Sequence, residues 1–383
     1  MSGKSWSESA SVIMLIALSL VCVASVTRLA STDQSSFLTQ TPPLKEAPAL
    51  AGSPCATVSV CAAANRRASE IMNANRLEAV TVVQDVRTGA VIVFAASQPS
   101  RLDVTTPVMP LSLSKLLLSA SWWDNRQPDL SFDSTRGSAN AQNPAYRSRV
   151  SVHEMLVGGS DSAGRQMAIA LRKSVGTKRV IEDLKRYGFG PRTGLPLDNA
   201  FWGELAPSWK TRLVPAPAYI SLSDESNDSE WAEALSLGET DMSVTALHVS
   251  RFLQAVGNNG VMLTPVAVEQ QLTLSPAKPT RIMQEPTALR LQSAMRDTVE
   301  RGTAKSIAQA LENTGWRIGG KTGSGPGPQP IGPQSDGWFA GLIFDPQGKA
   351  RFTVATFVRH GGAGGGNAAK VSAELARFLI GDK

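Results

Sequence analysis

The sequence predicts an α+β fold in which one antiparallel sheet flanked by helices is joined to a mostly helical lobe and is preceded by one N-terminal transmembrane helix. Two β-rich runs lie near the start of the folded part and three lie near its end, while residues from about 120 to 310 follow a mainly helical pattern. This order predicts a sheet built from both ends of one domain. A chain of 383 residues with 42% hydrophobic content can bury a core large enough for two lobes.

An apolar run at residues 9–26 carries no charge, and its eighteen residues just reach the length of a membrane-spanning helix. Lys4 precedes this run and Arg28 follows it. We expect a single-pass anchor in the cytoplasmic (inner) membrane, after a short tail at residues 1–8, with the rest of the chain on the periplasmic or extracellular side. A cleaved signal peptide is the alternative, with Val23-Ala24-Ser25 as its cleavage site, and it exports the same C-terminal part.

Residues 27–61 are rich in proline, serine, threonine and alanine, which is typical of a tether between a membrane and a folded domain. The folded domain is predicted over residues 62–383. Of the three cysteines, Cys22 lies within the apolar run, whereas Cys55 and Cys61 lie in the tether. Export would allow these two to form a disulfide that closes a short loop, and free thiols are the alternative.

The elements of the folded domain follow from local patterns. A helix is predicted at 62–76, and a hairpin is predicted from runs at 78–86 and 90–96 around the turn Arg87-Thr88-Gly89. Further helices are predicted at 151–157, 161–174, 177–187, 244–258 and 286–309. The segment 196–236 is predicted to be irregular. The last part is predicted to form strands at 316–324, 336–344 and 350–358 and an amphipathic helix at 368–380.

Ser112 and Lys115 stand three residues apart at the head of an apolar run, so both side chains share one face if the run is helical. A serine hydroxyl becomes a useful nucleophile when a base takes its proton, and a lysine amine that burial keeps partly neutral can be that base. Ser275 and Lys278 repeat the S-x-x-K spacing, but Pro276 argues against a helix there. We interpret the first pair as catalytic and the second as a chance match.

The segment Lys321-Thr322-Gly323-Ser324 is the second chemical element, and it contains the only Lys-Thr-Gly in the sequence. A lysine on a strand edge can bind a carboxylate, the two hydroxyls can donate to it, and the glycine lets a ligand approach the backbone. An ordinary strand end is the alternative for an isolated motif of this kind. We predict a carboxylate-binding site for the substrate here.

The third element should supply a hydroxyl that relays a proton between Lys115 and the leaving group. Ser160-Asp161-Ser162 lies between two predicted helices, where a short loop could present Ser160 to a cleft. Helix capping is the alternative use of these residues. Ser138-Ala139-Asn140 is a rival match, but it lies in a polar stretch without flanking helices, so we prefer the first segment.

Two classes of partner are not expected. The net charge is +6, yet no basic stripe is interleaved with aromatic residues, which argues against a nucleic-acid partner. His153, His248 and His360 are far apart, and none stands at ligand spacing to a cysteine, so no metal site is predicted.

From these motifs and their order, the chain is similar to penicillin-binding protein transpeptidase domains, in the superfamily of penicillin-recognising serine enzymes that includes the serine β-lactamases. The resemblance covers roughly residues 78–380 and also includes the intervening segments VTVVQDVRTGAVIVFAAS, LSLGETDMSVTALHVSRFLQAVGNNGVMLTP, VERGTAKSI and DGWFAGLIF. It implies a β-lactamase/transpeptidase-like fold and no metal or organic cofactor.

The resemblance also implies the reaction. Ser112 would attack the carbonyl of a D-alanyl-D-alanine stem peptide of peptidoglycan, and an amine of a neighbouring stem peptide would then take the acyl group, which makes a cross-link. Lys115 would be the base and Ser160 would belong to the proton relay. Penicillin and other β-lactams would acylate the same serine.

The resemblance assigns the remaining residues to substrate binding. Ser162, Lys321, Thr322, Gly323 and Ser324 would bind the substrate, with Lys321, Thr322 and Ser324 on its terminal carboxylate. The backbone N–H groups of Ser112 and Ser324 would form the oxyanion hole.

Two residues depart from the pattern of the family. Its second motif usually ends in asparagine, where this chain has Ser162, which has one donor fewer. Its first motif often has glycine before the serine, where this chain has Leu111. Altered substrate preference, low activity, or a retained fold with weakened catalysis are the possible consequences.

We therefore expect a membrane-anchored peptidoglycan D,D-transpeptidase. A D,D-carboxypeptidase or endopeptidase, a β-lactamase, and a catalytically weakened cell-wall scaffold protein are the alternatives. The stretch of about fifty residues between the apolar run and the first strand is too short for a glycosyltransferase domain, so polymerisation of glycan strands would fall to a separate partner.

Overall fold

Strands from both ends of the folded part meet in a single sheet. A computed structural model of the chain describes residues 62–103, 106–135, 147–188, 219–240, 242–263, 265, 279–326 and 335–381. The strands within these residues are β1 (Glu78–Gln84), β2 (Val91–Ala96), β3 (Ser131–Thr135), β4 (Arg147–Ser151), β5 (Tyr219–Ile220), β6 (Met242–Ser243), β7 (Val261–Met262), β8 (Thr280–Arg281), β9 (Arg317–Pro326), β10 (Ser335–Phe344) and β11 (Ala350–Arg359).

The main sheet has five strands in the order β2–β1–β11–β10–β9, and each neighbouring pair is antiparallel. The first strand, β1, lies beside β11, so that Glu78 stands opposite Arg359. This arrangement confirms the predicted antiparallel sheet that is built from both ends of the domain. The other described strands form the two-stranded ribbons β3–β4, β5–β6 and β7–β8.

Seven of the described α-helices lie between the two groups of strands. The described α-helices are α1 (Ala62–Ala74), α2 (Ser114–Asp124), α3 (Val152–Gly158), α4 (Asp161–Val175), α5 (Thr177–Arg186), α6 (Asp228–Ser236), α7 (Ala246–Gly257), α8 (Glu285–Glu300) and α9 (Asn367–Leu379). The helices predicted at 62–76, 151–157, 161–174, 177–187, 244–258 and 368–380 are confirmed to within about two residues at each end, the usual uncertainty of a helix boundary.

The predicted helix at 286–309 is wrong beyond Glu300. Helix α8 ends there, and a short 3-10 turn, Lys305–Ile307, follows it. Gly302 lies between the two, and a Cβ atom on this residue would come within 2.4 Å of the carbonyl oxygen of Val157. The chain therefore packs by its backbone against the end of α3, and a straight continuation of α8 gives way to a turn.

The segment at 196–236, predicted to be irregular, contains helix α6 in its last part. Asn227 caps this helix by accepting from the backbone N–H groups of Ser229 and Glu230, while the Glu230 side chain accepts from the N–H of Asn227. This reciprocal capping box was the sequence signal for the helix. The β3–β4 ribbon was also missed, because its strands are short and largely polar.

Helices cover both faces of the main sheet. Thr356 of β11 has its hydroxyl oxygen 2.9 Å from that of Ser372 in α9, whereas Thr353 has its hydroxyl oxygen 2.7 Å from that of Ser250 in α7. Because side chains alternate along a strand, these two threonines point to opposite faces. Helices α1 and α9 pack against each other, while α8 packs along β9.

None of the helices in the described part of the chain combines the length and the apolarity needed to cross a bilayer. The predicted anchor at 9–26, the tether at 27–61 and its two cysteines lie outside the described residues. The two rejected matches, Ser138-Ala139-Asn140 and Ser275 to Lys278, lie outside them as well.

We expect Ser250→Ala to lower the free energy of unfolding by about 1–3 kcal/mol, the usual cost of a buried polar group left without its partner. Ser250 is fully buried, and it donates a hydrogen bond to the side-chain oxygen of Gln84 (2.9 Å) besides its contact with Thr353. Urea unfolding of the two proteins measures the difference. Ser174→Ala, which removes an exposed serine that bonds Gln127, is the control and should change stability by less than about 0.5 kcal/mol. Equal losses in the two variants would contradict the prediction.

Candidate active site

Ser112 lies at the centre of a 3-10 turn, Leu111–Leu113, that leads directly into α2. Lys115 is the second residue of this helix, and its Nζ atom donates a hydrogen bond to Ser112 Oγ over 2.8 Å. The two side chains thus meet as their spacing predicted. Every residue of α2 is buried, whereas Ser112 is half-buried, so the hydroxyl stands at the border of the core.

The amine of Lys115 is held inside the protein. Its side chain is 0% exposed, and besides Ser112 its Nζ donates to Asp161 Oδ1 (2.8 Å) and to the carbonyl oxygen of Ser236. Burial lowers the pKa of Lys115, while the Asp161 carboxylate opposes this shift. An amine whose pKa is depressed can take a proton from the adjacent serine near neutral pH, which is the property required of a base for an acyl-transfer nucleophile.

Leu111, the residue before the nucleophile, has a φ angle of 53°. This left-handed conformation costs an L-residue roughly 1–2 kcal/mol, whereas glycine adopts it freely. Leu111 is held there because its N–H donates to the carbonyl oxygen of Gly238 (3.1 Å) and its side chain is fully buried. A hydrogen bond and packing therefore hold Leu111 in a conformation that suits the glycine expected at this position from the resemblance.

We expect Leu111→Gly to be more stable than Leu111→Ala, although both unfold more readily than the unmodified protein. Each loses the buried leucine side chain, at a cost of about 2–5 kcal/mol, but only glycine relieves the left-handed strain of about 1–2 kcal/mol. Chemical denaturation measures both. The matched control is Leu113, which is also buried but has a φ of −66°, and there alanine should be the more stable replacement. If the glycine and alanine variants had the same order of stability at positions 111 and 113, this account of the turn would be contradicted.

The second predicted segment opens helix α4, and its two serines face the β3–β4 ribbon. Ser160 Oγ accepts hydrogen bonds from Ser134 Oγ (2.8 Å) and from the backbone N–H of Ala163 (3.3 Å), which makes Ser160 the helix cap. Ser162 Oγ accepts from the N–H of Thr135 over 3.0 Å. Both hydroxyls thus tie the start of α4 to β3 or to the helix itself.

Asp161, between these serines, is the residue of the segment that reaches the base. Among the described residues, neither Ser160 nor Ser162 hydrogen-bonds to Lys115, whereas the Asp161 carboxylate does. The relay role of Ser160 and the substrate role of Ser162 stay predictions. Asp161 itself was not singled out from the sequence, because which residue of a capped turn faces a neighbour depends on where the helix begins.

Two glycines let this segment approach both lysines. A Cβ atom on Gly164 would lie 2.9 Å from Ser236 Cβ and 3.2 Å from Lys115 Cε, so α4 comes close to the base only because this position is glycine. A Cβ atom on Gly159 would lie 3.7 Å from Lys321 Nζ. The start of α4 therefore lies beside the first motif and the third.

The third predicted segment lies on β9, the outer strand of the sheet at this side. Lys321 is 1% exposed, and its Nζ donates to the carbonyl oxygen of Thr322 (2.8 Å). Burial, with the nearby charge of Lys115 adding to the effect, lowers the pKa of Lys321 to about 7. A lysine that titrates near neutrality and stands close to another cation is well suited to bind an anion, which would stabilise its charged form.

The neighbours of Lys321 connect β9 to the nucleophile. A Cβ atom on Gly323 would lie 3.2 Å from Leu111 Cβ, so the strand packs by its backbone against the turn that holds Ser112. Ser324 is exposed, and its hydroxyl accepts a hydrogen bond from the N–H of Gly364 (2.9 Å). Ser112, Lys115 and the four residues of the third motif are thus brought into one site.

Several residues of this site were not assigned from the sequence. Thr303 has its hydroxyl oxygen 2.6 Å from that of Thr322, and Ser236 contributes only its backbone carbonyl. Glu239 lies near Gly325 of β9, and burial raises the pKa of its carboxyl, with the Asp161 carboxylate adding to the effect. Thr303 belongs to the VERGTAKSI segment, and Ser236 and Glu239 belong to the LSLGETD segment. Those two family-like segments were the available signal.

The chain matches the family model described as penicillin binding protein transpeptidase domain over residues 79–379. The protein therefore belongs to the penicillin-binding protein transpeptidase family. It is similar to penicillin-binding protein PbpB of Mycolicibacterium smegmatis, with 25% identity over an alignment of 347 residues, and the match covers 78% of this chain and 49% of that protein. The chain thus spans about half the length of this curated relative.

Solved structures share the fold. Penicillin-binding protein A of Mycobacterium tuberculosis has a TM-score of 0.65 and 15% identity, over 84% of this chain and 81% of that one. The apo transpeptidase domain of penicillin-binding protein 3 from Burkholderia pseudomallei has a TM-score of 0.63 and 17% identity, over 85% and 94%. The ceftriaxone acyl-enzyme complex of the M. tuberculosis protein A gives 0.64 and 14%, over 84% and 79%. These likenesses show the fold of a penicillin-binding transpeptidase domain.

Proposed function

We propose that the protein is a membrane-anchored peptidoglycan D,D-transpeptidase that cross-links stem peptides through an acyl-enzyme on Ser112 and that binds penicillin. The observation that carries this proposal is the 2.8 Å contact between Ser112 Oγ and the wholly buried amine of Lys115. A serine in contact with a buried amine becomes a nucleophile when that amine is neutral, and the family relationship directs it towards acyl transfer.

In the acylation step, Ser112 Oγ attacks the carbonyl carbon of the penultimate D-alanine while the neutral amine of Lys115 takes its proton. The peptide C–N bond then breaks, and D-alanine leaves with that proton. An amine of a second stem peptide attacks the resulting ester, releases Ser112 and forms the cross-link. The backbone N–H groups of Ser112 and Ser324 would stabilise the negative oxygen that develops at the carbonyl. A β-lactam follows the first half of this path, with its ring amide in place of the peptide bond.

The substrate would lie along β9. As the outer strand, β9 has an unpaired edge among the described residues, and an extended peptide can add to such an edge by backbone hydrogen bonds. The terminal carboxylate would then meet Lys321, with the hydroxyls of Thr322 and Ser324 beside it. The low pKa of Lys321 means that binding of a carboxylate should draw a proton onto the lysine as the complex forms.

The proposed location is the periplasmic side of the cytoplasmic membrane, with residues 9–26 as the contact with the lipid bilayer. Support comes from the uncharged apolar run and from the proline-rich tether that follows it. Stem peptides of peptidoglycan and β-lactams are the proposed ligands, and a separate glycan polymerase is the proposed partner.

Fluorescent penicillin should label the purified protein covalently, and Ser112→Ala should abolish the label, because the acyl bond needs the hydroxyl of that residue. Ser275→Ala is the matched control, since it removes the serine of the other S-x-x-K match and should leave labelling unchanged. Denaturing gel fluorescence and peptide mass spectrometry measure the label and its position. Labelling that survives in Ser112→Ala would contradict the assignment of the nucleophile.

Release of the label separates the variants of this function. A covalent label that is released only slowly supports a transpeptidase or a D,D-carboxypeptidase. Incubation with stem peptides and an amine acceptor then distinguishes these two activities, because the first gives a cross-linked product and the second a hydrolysed one. Rapid loss of the label with opening of the β-lactam would identify a β-lactamase instead.

A second candidate is a catalytically weakened cell-wall scaffold protein. The observation that favours it is the position of Ser160, whose hydroxyl bonds Ser134 and the helix start in place of Lys115. A folded protein that fluorescent penicillin does not label at any pH would support this candidate and would contradict the catalytic proposal.

Replacement of residues 1–26 by a cleavable signal peptide should move the protein from the membrane fraction to the soluble periplasmic fraction, because the replaced run supplies the only apolar stretch of spanning length in the sequence. Cell fractionation, with the mass of the mature protein measured in parallel, tests this. A full-length protein that is shortened near Ser25 and is soluble would identify a cleaved signal peptide and contradict the anchor.

A further inference from the structure

The amine of Lys115 has a complete set of acceptors in the free protein. Its Nζ lies 2.8 Å from Ser112 Oγ, 2.8 Å from Asp161 Oδ1, and within hydrogen-bond distance of the Ser236 carbonyl oxygen. An ammonium has three N–H donors and no lone pair, so the three contacts match the protonated form. In that form Lys115 cannot accept the proton of Ser112. Activation of the serine therefore requires that Lys115 first lose a proton.

Asp161 is suited to receive this proton. The Ser236 carbonyl is a poor proton acceptor, and the Ser112 hydroxyl is the group to be activated. The Asp161 carboxylate is 53% exposed to solvent, whereas the Lys115 side chain is 0% exposed. Within the described part of the chain, Asp161 thus connects the buried amine to water.

We propose that Asp161 is a positioning residue that controls the protonation of Lys115, by stabilising the ammonium in the free protein and by passing its proton to solvent before Ser112 is activated. The inference rests on the proposed function of Ser112 and Lys115. An N–H bond of Lys115 breaks, the proton moves to Asp161 Oδ1 and on to water, and the nitrogen keeps the electron pair. That pair then takes the Ser112 proton as Oγ attacks the carbonyl.

The other charged groups around Lys115 define what removal of Asp161 should do. Arg165 on α4 and Lys321 on β9 disfavour the charged amine, whereas Glu239 favours it. Burial has the largest effect and lowers the pKa of Lys115, and Asp161 is the main group that raises it. Loss of the Asp161 charge should therefore lower the pKa of Lys115 further, so that the neutral amine forms at lower pH.

Asp161→Asn is the test, because it keeps an oxygen acceptor and removes the charge. We expect the rising limb of the acylation rate constant with fluorescent penicillin to shift to lower pH by about one unit or more, the effect of one close charge. Asp161→Glu should move the midpoint back towards that of the unmodified protein. A midpoint that stays in place while the rate falls at every pH would mean a purely structural role, and it would overturn the proposal.

Asp228→Asn is the matched control. Asp228 is also the first residue of a helix, α6, and it pairs with Arg172 (2.9 Å) and not with Lys115. This variant loses a comparable charge at the start of a helix, and the midpoint of its acylation pH profile should stay unchanged. An equal shift in both variants would indicate a general charge effect and would also overturn the proposal.

A second measurement does not depend on acylation. Titration of the side-chain ¹³Cε signal of Lys115 by NMR gives its pKa directly, with thermal melting to verify that each variant is folded. A lower pKa in Asp161→Asn without any labelling of the unmodified protein would uphold the inference and refute the proposed function. Normal labelling with an unchanged Lys115 titration would do the reverse.

Discussion

Burial of one lysine amine is the constraint on which the rest of the site depends. Removing an ammonium group from water costs free energy unless its N–H groups find acceptors. At Lys115 these acceptors come from the turn before α2, the start of α4 and the end of α6, which are distant from one another in sequence. Three segments must therefore meet at one nitrogen before Lys115 can act as the proposed base for Ser112. Gly164 makes the meeting possible, because α4 could not otherwise approach so closely.

Lys321 adds a second buried cation to the same site. The two lysines disfavour each other's charge, and Asp161 is the carboxylate that moderates both. A site with this charge distribution should accept an anion more readily than a neutral ligand of the same shape. The carboxylate shared by stem peptides and penicillins would provide that anion, so the electrostatics of the empty site already favour the proposed ligands. In the proposed reaction, Lys115 and Lys321 would serve different steps although their burial is alike.

The parts of the structure that local patterns determine could be predicted from the sequence. Ser112 and Lys115 lie on one helical face, and the β-rich runs near both ends pair in one sheet, because side-chain spacing and β-propensity act within short segments. The contact of Asp161 with Lys115 could not be predicted, since Ser160 uses its hydroxyl as a helix cap and the cap decides which neighbour faces Lys115. The side chain of Ser236 gave no signal of its own, because the residue contributes its backbone carbonyl, and only the family-like segment around it pointed to the site. The end of α8 at Glu300 depends on a backbone contact of Gly302, which is tertiary and invisible to periodicity.

The pairing of β1 with β11 has a consequence for the order in which the protein can fold. Glu78 and Arg359 are 281 positions apart along the chain, yet they face each other at one end of the β1–β11 pair. The β1–β2 hairpin can form early from local contacts, but one edge of β1 has no partner until nearly all of the domain has been made. Such long-range pairing slows folding and leaves an open strand edge exposed meanwhile. If the chain crosses a membrane from its N-terminus, β1 reaches the far side well before its partner β11. During that interval, chaperones that shield unpaired strands would be needed.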